Sequence, residues 1–120
     1  MFKKLFENNI ISQLKKEFPE VISQIIGPKG PEDQENSWYQ LQMIVVPYKM
    51  RTEKLGTKYM KRFIRLAKEE NSDIFLTPDA SYQEDDGMSL SQLTAWYKKL
   101  GFVKKHKDDF RAQHKYCLYN

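Results

Sequence analysis

Apolar residues recur at Phe2, Leu5, Phe6, Ile10, Leu14 and Phe18, with lysines between them. That spacing predicts one amphipathic helix over residues 2–18, stopped at Pro19. Residues 21–26 are short and β-branched before Gly27-Pro28, which predicts a strand. Residues 27–37, rich in Gly, Pro and acid, read as a loop. Residues 38–46 form the clearest strand. It ends in Met43-Ile44-Val45-Val46, the near-continuous run of a strand buried on both faces, and Pro47 closes it. The clearest helix spans 57–70, with Tyr59, Met60, Phe63, Ile64 and Ala67 on the dry side and Lys58, Lys61, Arg62, Arg65 and Lys68 on the wet side. Asn71-Ser72 breaks it.

A second core strand follows at 74–77, ended by Pro78, and an acidic loop covers 78–88. Ser89-Leu90-Ser91-Gln92 has the form of a capping box, so a helix starts there. Leu90, Leu93, Tyr97 and Leu100 step along it by threes and fours, and Gly101 terminates it. Residues 102–105 and 115–119 read as closing strands around a turn at Lys107-Asp108-Asp109. The predicted order is α-β-β-α-β-α-β-β. It describes an α/β (α+β) domain with a small mixed sheet, in which a strand, a crossover helix and a second strand form a right-handed unit.

The length of 120 residues suits one domain, 1–120, with one core. An apolar fraction of 40% is too high for a disordered chain carrying a net charge of only +4. The longest apolar run, residues 43–47, is far short of the roughly 20 residues a membrane helix needs. No apolar stretch follows the first lysines, so neither a signal peptide nor an anchor is expected. The lone cysteine, Cys117, has no internal disulfide partner and reads as a small strand residue. Both features fit a cytoplasmic location. From Lys49 to Lys68 there are eight Lys/Arg and one acid, Glu53. Such a run is commonly a solvated helix face, and it also suits anionic ligands.

The stretch from Ile44, Val45 and Val46 through Gly56-Thr57 is a buried strand, a loop and a helix start. The first amides of a helix lack internal partners and carry the positive end of its dipole, so this junction can hold a pyrophosphate. Arg51 and Lys54 can add charge and Thr57 a hydroxyl. No Walker loop is present. The solitary Gly56 is also not a dinucleotide fingerprint.

Arg51-Thr52-Glu53-Lys54-Leu55-Gly56 opening a helix, the strand Ile74-Phe75-Leu76-Thr77, and Trp96-Tyr97-Lys98-Lys99-Leu100-Gly101-Phe102 occur in that order. In this the sequence resembles the GNAT superfamily of N-acetyltransferases, in particular its small phage-type domains with a Val-Val-Pro start and a Leu-Thr-Pro after the next strand. The likeness covers roughly half the chain. It departs from the family pattern at Lys54, where relatives carry the first glycine of the phosphate motif. It departs again at Leu90, near where many place an asparagine.

The resemblance implies a mixed, mostly antiparallel sheet with helices on both faces, and acetyl-CoA as cofactor. It implies cofactor contacts from Ile44, Val45, Val46, Arg51, Thr52, Glu53, Lys54, Leu55, Gly56 and Thr57, in a V between strands 38–46 and 74–77. It also implies Tyr97 as the proton donor to the leaving thiolate. The acceptor would be a primary amine: a protein lysine, an N-terminus or a small amine, with a host protein as target for a phage enzyme. Glu35, Glu84, Asp85 and Asp86 lie in loops that border the acceptor side, and none is singled out as the base. No metal and no membrane are implied, and a homodimer is favoured over a monomer because short domains of this kind often pair.

Two other readings stand beside this one. One is a degenerate module that binds a partner without catalysis, which Lys54 favours. The other is a nucleic-acid binder using the 49–68 face. It ranks last, because Tyr59 and Phe63 lie on the apolar side rather than among the cations.

Overall fold

A computed structural model describes residues 9–30, 37–45, 54–82 and 88–120. The elements are α1 (Asn9–Glu17), β1 (Ile22–Lys29), β2 (Trp38–Val45), α2 (Leu55–Glu69), β3 (Asp73–Leu76), a 3-10 turn (Ala80–Tyr82), α3 (Leu90–Leu100), β4 (Val103–Lys104) and β5 (Tyr116–Leu118). The strands form one five-stranded mixed sheet in the order β1-β2-β3-β5-β4. Only β2 and β3 run parallel; the other three pairings are antiparallel.

Burial in α2 follows its period. Tyr59, Met60, Phe63, Leu66 and Ala67 are buried, and Ile64 packs at the margin. Phe63 meets Tyr39 of β2 edge-on, and Tyr59 meets Phe18 beyond α1 in the same way. The helix ends in a Schellman arrangement. Asn71 takes the left-handed conformation (φ 58°), its amide donates to the Lys68 carbonyl, and the Ser72 amide donates to the Ala67 carbonyl. This turn feeds directly into β3, all of whose residues are buried.

Strand alternation sorts β3. Ile74 and Leu76 enter a large cluster shared with buried residues of α1, α2 and α3. Phe75 enters a second cluster with Ala112 and Cys117, packed by Trp38 and Tyr119. Among the described residues, the Phe75 side is therefore covered by the connection between β4 and β5. Among the described residues no helix packs on the Phe75 side; α1, α2 and α3 all contribute to the Ile74 and Leu76 cluster.

Other boundaries shift for local reasons. The first helix is described only from Asn9. β1 runs on through Gly27, Pro28 and Lys29, which read as loop in the sequence. It lies at a sheet edge, where a proline's missing N–H costs little, and its register to β2 slips between Ile26 and Lys29. Gly27 takes φ 139° there, and a Cβ would stand 2.9 Å from the Trp38 carbonyl oxygen. α2 begins at Leu55, not at Gly56 or Thr57. Leu90 is 54% exposed and leaves the dry stripe of α3 to Leu93 and Tyr97. The two closing strands shorten to Val103–Lys104 and Tyr116–Leu118. The N-terminus of α3 carries the capping box: the Gln92 amide donates to Ser89 Oγ, and the Ser89 amide donates to Gln92 Oε1. No described helix is long and apolar enough to cross a membrane.

Candidate functional site

β2 and β3 pair from Trp38↔Asp73 to Leu41↔Leu76 and no further. β2 continues to Val45, where among the described strands β1 alone pairs with it, through Gln24↔Met43, Ser23↔Ile44 and Ile22↔Val45. Pairing between β2 and β3 stops where β3 ends at Leu76, while β2 runs on. A narrow cleft follows, lined by Leu41, Gln42, Met43, Ile44, Thr77, Asp79 and Tyr97. α3 brings Tyr97 to its floor, 4% exposed and braced edge-on by Phe102. Burial pushes the Tyr97 phenol well above its ordinary pKa, so it is a neutral O–H at any physiological pH. Asp79 stands at the same cleft. Hydrogen bonds from the Ser81 hydroxyl and amide hold its carboxyl below the usual range, so it is an anion.

A larger cavity of about 540 Å³ adjoins the end of β2. The N-cap and first two turns of α2 supply Lys54, Gly56, Thr57 and Lys61, α3 supplies Leu93, Trp96, Lys99 and Leu100, and Ile44 and Met88 complete the wall. The Trp96 indole donates to Thr57 Oγ1 at 3.0 Å and fixes α3 against the start of α2. Indole N–H only donates, so the Thr57 hydroxyl keeps its own proton to offer. No side chain caps α2, which leaves its first amides to the cavity mouth or to solvent.

Of the residues singled out in the sequence, Ile44, Lys54, Gly56 and Thr57 line this one cavity, and Ile44 also borders the Tyr97 cleft. Leu55 turns to the core, and Val45 pairs with Ile22. Val46, Arg51, Thr52 and Glu53 lie outside the described residues, as do Glu35, Glu84, Asp85 and Asp86. Sequence reasoning missed Lys61, Lys99, Trp96 and Asp79. Trp96 was legible in principle: Leu93, Trp96 and Leu100 form a second stripe at helical spacing beside the Tyr97 stripe. Among the described residues no group of His, Cys, Asp or Glu could hold a metal ion. Cys117 is buried, and burial pushes its thiol up to about 12, too high for a nucleophile at neutral pH.

Lys54 caps α2 with φ 56° and ψ 36°, the left-handed region that a β-carbon disfavours. Glycine at this position removes that strain. Lys54→Gly is expected to raise stability by about 0.5–1 kcal/mol, or roughly 2–4 °C in a thermal melt. A lower melting temperature would show that the lysine side chain stabilises the α2 start by more than its backbone costs.

No family model matches the sequence, and no curated protein matches it. Among solved structures, the chain is similar to the crystal structure of Ard1 from Thermoplasma volcanium. The identity is 17% over 89% of this chain and 72% of that one, with a TM-score of 0.42. Similarity at that level leaves the function to be read from the site itself.

Proposed function

We propose that the chain is an acetyl-CoA-dependent N-acetyltransferase acting on a primary amine. The observation that carries this reading is the end of β2–β3 pairing at Leu41↔Leu76, with the buried Tyr97 lining the cleft that follows it and an uncapped helix start beside it. The GNAT resemblance of the motifs supports it as well.

The residues present fit the cofactor. The α2 amides and the cations Lys54, Lys61 and Lys99 suit a pyrophosphate, with Thr57 Oγ1 as a further donor. Leu93, Trp96, Leu100 and Met88 offer apolar cover for its organic part. When bound, acetyl-CoA supplies an acetyl group as a thioester. Backbone amides at the end of β2, near Val45, would polarise the thioester carbonyl. A preorganised donor of that kind contributes about 3–4 kcal/mol in known cases. The Asp79 carboxylate at the cleft attracts an ammonium acceptor and orients it. The amine must lose a proton before attack, since a free lysine titrates near 10.4. Tyr97 holds a proton for the departing sulfur. The phage-type likeness extends the proposal to a host-cell protein as acceptor.

A thermal melt with and without acetyl-CoA tests the cofactor. Ligand at about 100 times its dissociation constant adds about 2.7 kcal/mol, a rise of roughly 10 °C for a domain of this size. The same samples, given a host-cell lysate and probed for acetyl-lysine, should show a few discrete products. No shift at millimolar acetyl-CoA sinks the enzymatic reading. A shift with no product in any amine pool favours the second one, a CoA-binding module without catalysis, which the lysine at the left-handed cap already suggests.

A further inference from the structure

The connection between β4 and β5 builds a second concave face, with a cavity of about 570 Å³ whose walls include Lys104, Lys107, Phe110, His114, Lys115 and Tyr116. It holds none of the residues of the acetyl-transfer site. From residue 104 to 115 there are five Lys/Arg against Asp108 and Asp109, a net +3. Asp109 is already committed: Arg111 grips it through Nε and Nη2, and the Tyr119 hydroxyl donates to it. Lys105 donates to the Ala112 carbonyl. Among the described residues Lys104, Lys107 and Lys115 are exposed and form no ion pair, and Asp108 is the one exposed acid beside them. His114 is held below its ordinary pKa by burial and by Lys105, so it offers a hydrogen bond rather than a charge.

Among these cations stands Phe110, 87% exposed and the most exposed large apolar residue described. A phenyl ring left in water amid lysines is what the 49–68 face lacks. Lysines alone would suit any polyanion; a bare aromatic face among them suits an anion that also carries flat rings. We infer that this face binds single-stranded nucleic acid, with a base stacked on Phe110 and phosphates paired to Lys104, Lys107 and Lys115. An acidic peptide has the charge but nothing that calls for the ring. A duplex keeps its bases stacked on each other and out of reach of Phe110.

Fluorescence anisotropy with a labelled oligothymidylate of about a dozen nucleotides tests this on the intact chain. Three phosphate contacts on a single strand predict a salt slope of about −2, or about twentyfold weaker binding between about 50 and about 200 mM salt. Phe110→Ala should weaken binding at least about fivefold. Lys107→Glu should weaken it and flatten the salt slope. Lys68→Glu, on the wet face of α2, should stay within about twofold of wild type. All three sites are exposed, so their melts should match wild type, and saturating CoA should not displace the oligonucleotide. Four results would overturn the inference: no binding at low salt, indifference to Phe110→Ala, a duplex bound as tightly as the single strand, or polyglutamate bound equally well. The last would assign the face to an acidic protein.

Discussion

Arg111→Ala is expected to cost more than the loss of any other ion-paired residue described, about 2–3 kcal/mol and roughly 10 °C in melting temperature. Arg111 Nη2 lies 2.7 Å from Asp73 Oδ2 and 3.0 Å from Asp109 Oδ2. Both carboxylates are only 9% exposed, so removing the cation leaves two buried anions without their counter-charge. The guanidinium also lies over the rings of Trp38, Phe75 and Tyr119, at 5.8, 5.0 and 6.0 Å from their centres. Its own 29% exposure sets the figure below the full range for a buried pair. The loss spreads along the chain. Asp73 also accepts from the Asn120 amide at 2.7 Å, and Tyr119 is held by Asp109 and by the His106 amide.

The pH dependence fixes the sign. Arg111 holds the Asp109 carboxyl well below the usual carboxylate range. A depressed folded pKa gives stability that is fully present above the unfolded value of about 3.9 and is lost as pH falls towards the folded one. Wild type and Arg111→Ala should therefore differ most near neutrality and converge in acid. Chemical denaturation across that range, with Asp109→Asn to close the cycle, measures it. A variant within about 0.5 kcal/mol of wild type at neutral pH would show that this clasp does not hold the β4–β5 connection down.

That clasp was invisible in the sequence, because its partners Asp73, Asp109 and Arg111 mean nothing until β3 and the connection are stacked. What local chemistry dictates was legible. The dry stripe of α2, the capping box at Ser89 and Gln92, the stop at Gly101 (φ 110°) and the buried run of β3 each follow from a few neighbouring residues. The misreadings are tertiary. Gly27-Pro28 looks like a terminator, yet the sheet edge tolerates it. Leu90 fits the helical period but stays 54% exposed. The site divides the same way. A strand, a loop and a helix start could be read around Ile44, Gly56 and Thr57. The far wall of the cavity, with Trp96 and Lys99, depends on where α3 docks. Asp79 reaches the cleft only because the turn after β3 folds under β2.

Tyr97→Phe is the change expected to separate chemistry from structure. In the acetyl-transfer reading it should lower kcat by about a hundredfold, the lower end of what a positioned proton donor contributes. The acetyl-CoA melting shift should remain. Among the described residues no group hydrogen-bonds the Tyr97 hydroxyl, so its removal orphans no partner, and phenylalanine keeps the ring against Phe102 and Trp96. Stability near neutral pH should therefore stay within about 0.5 kcal/mol of wild type. Because burial raises the phenol above its ordinary 10, its stabilising neutral form is fully present below pH 10 and is lost only as pH climbs through the folded value. Tyr97 cannot then be the base, and the alkaline limb of the rate profile must not move with its removal. Release of free thiol from acetyl-CoA in the presence of a lysine-peptide pool reads the rate. An unchanged kcat with an intact melting shift would remove Tyr97 from the chemistry and leave water to protonate the thiolate. A collapse of both rate and melting shift would make it a packing residue of the cofactor cavity instead.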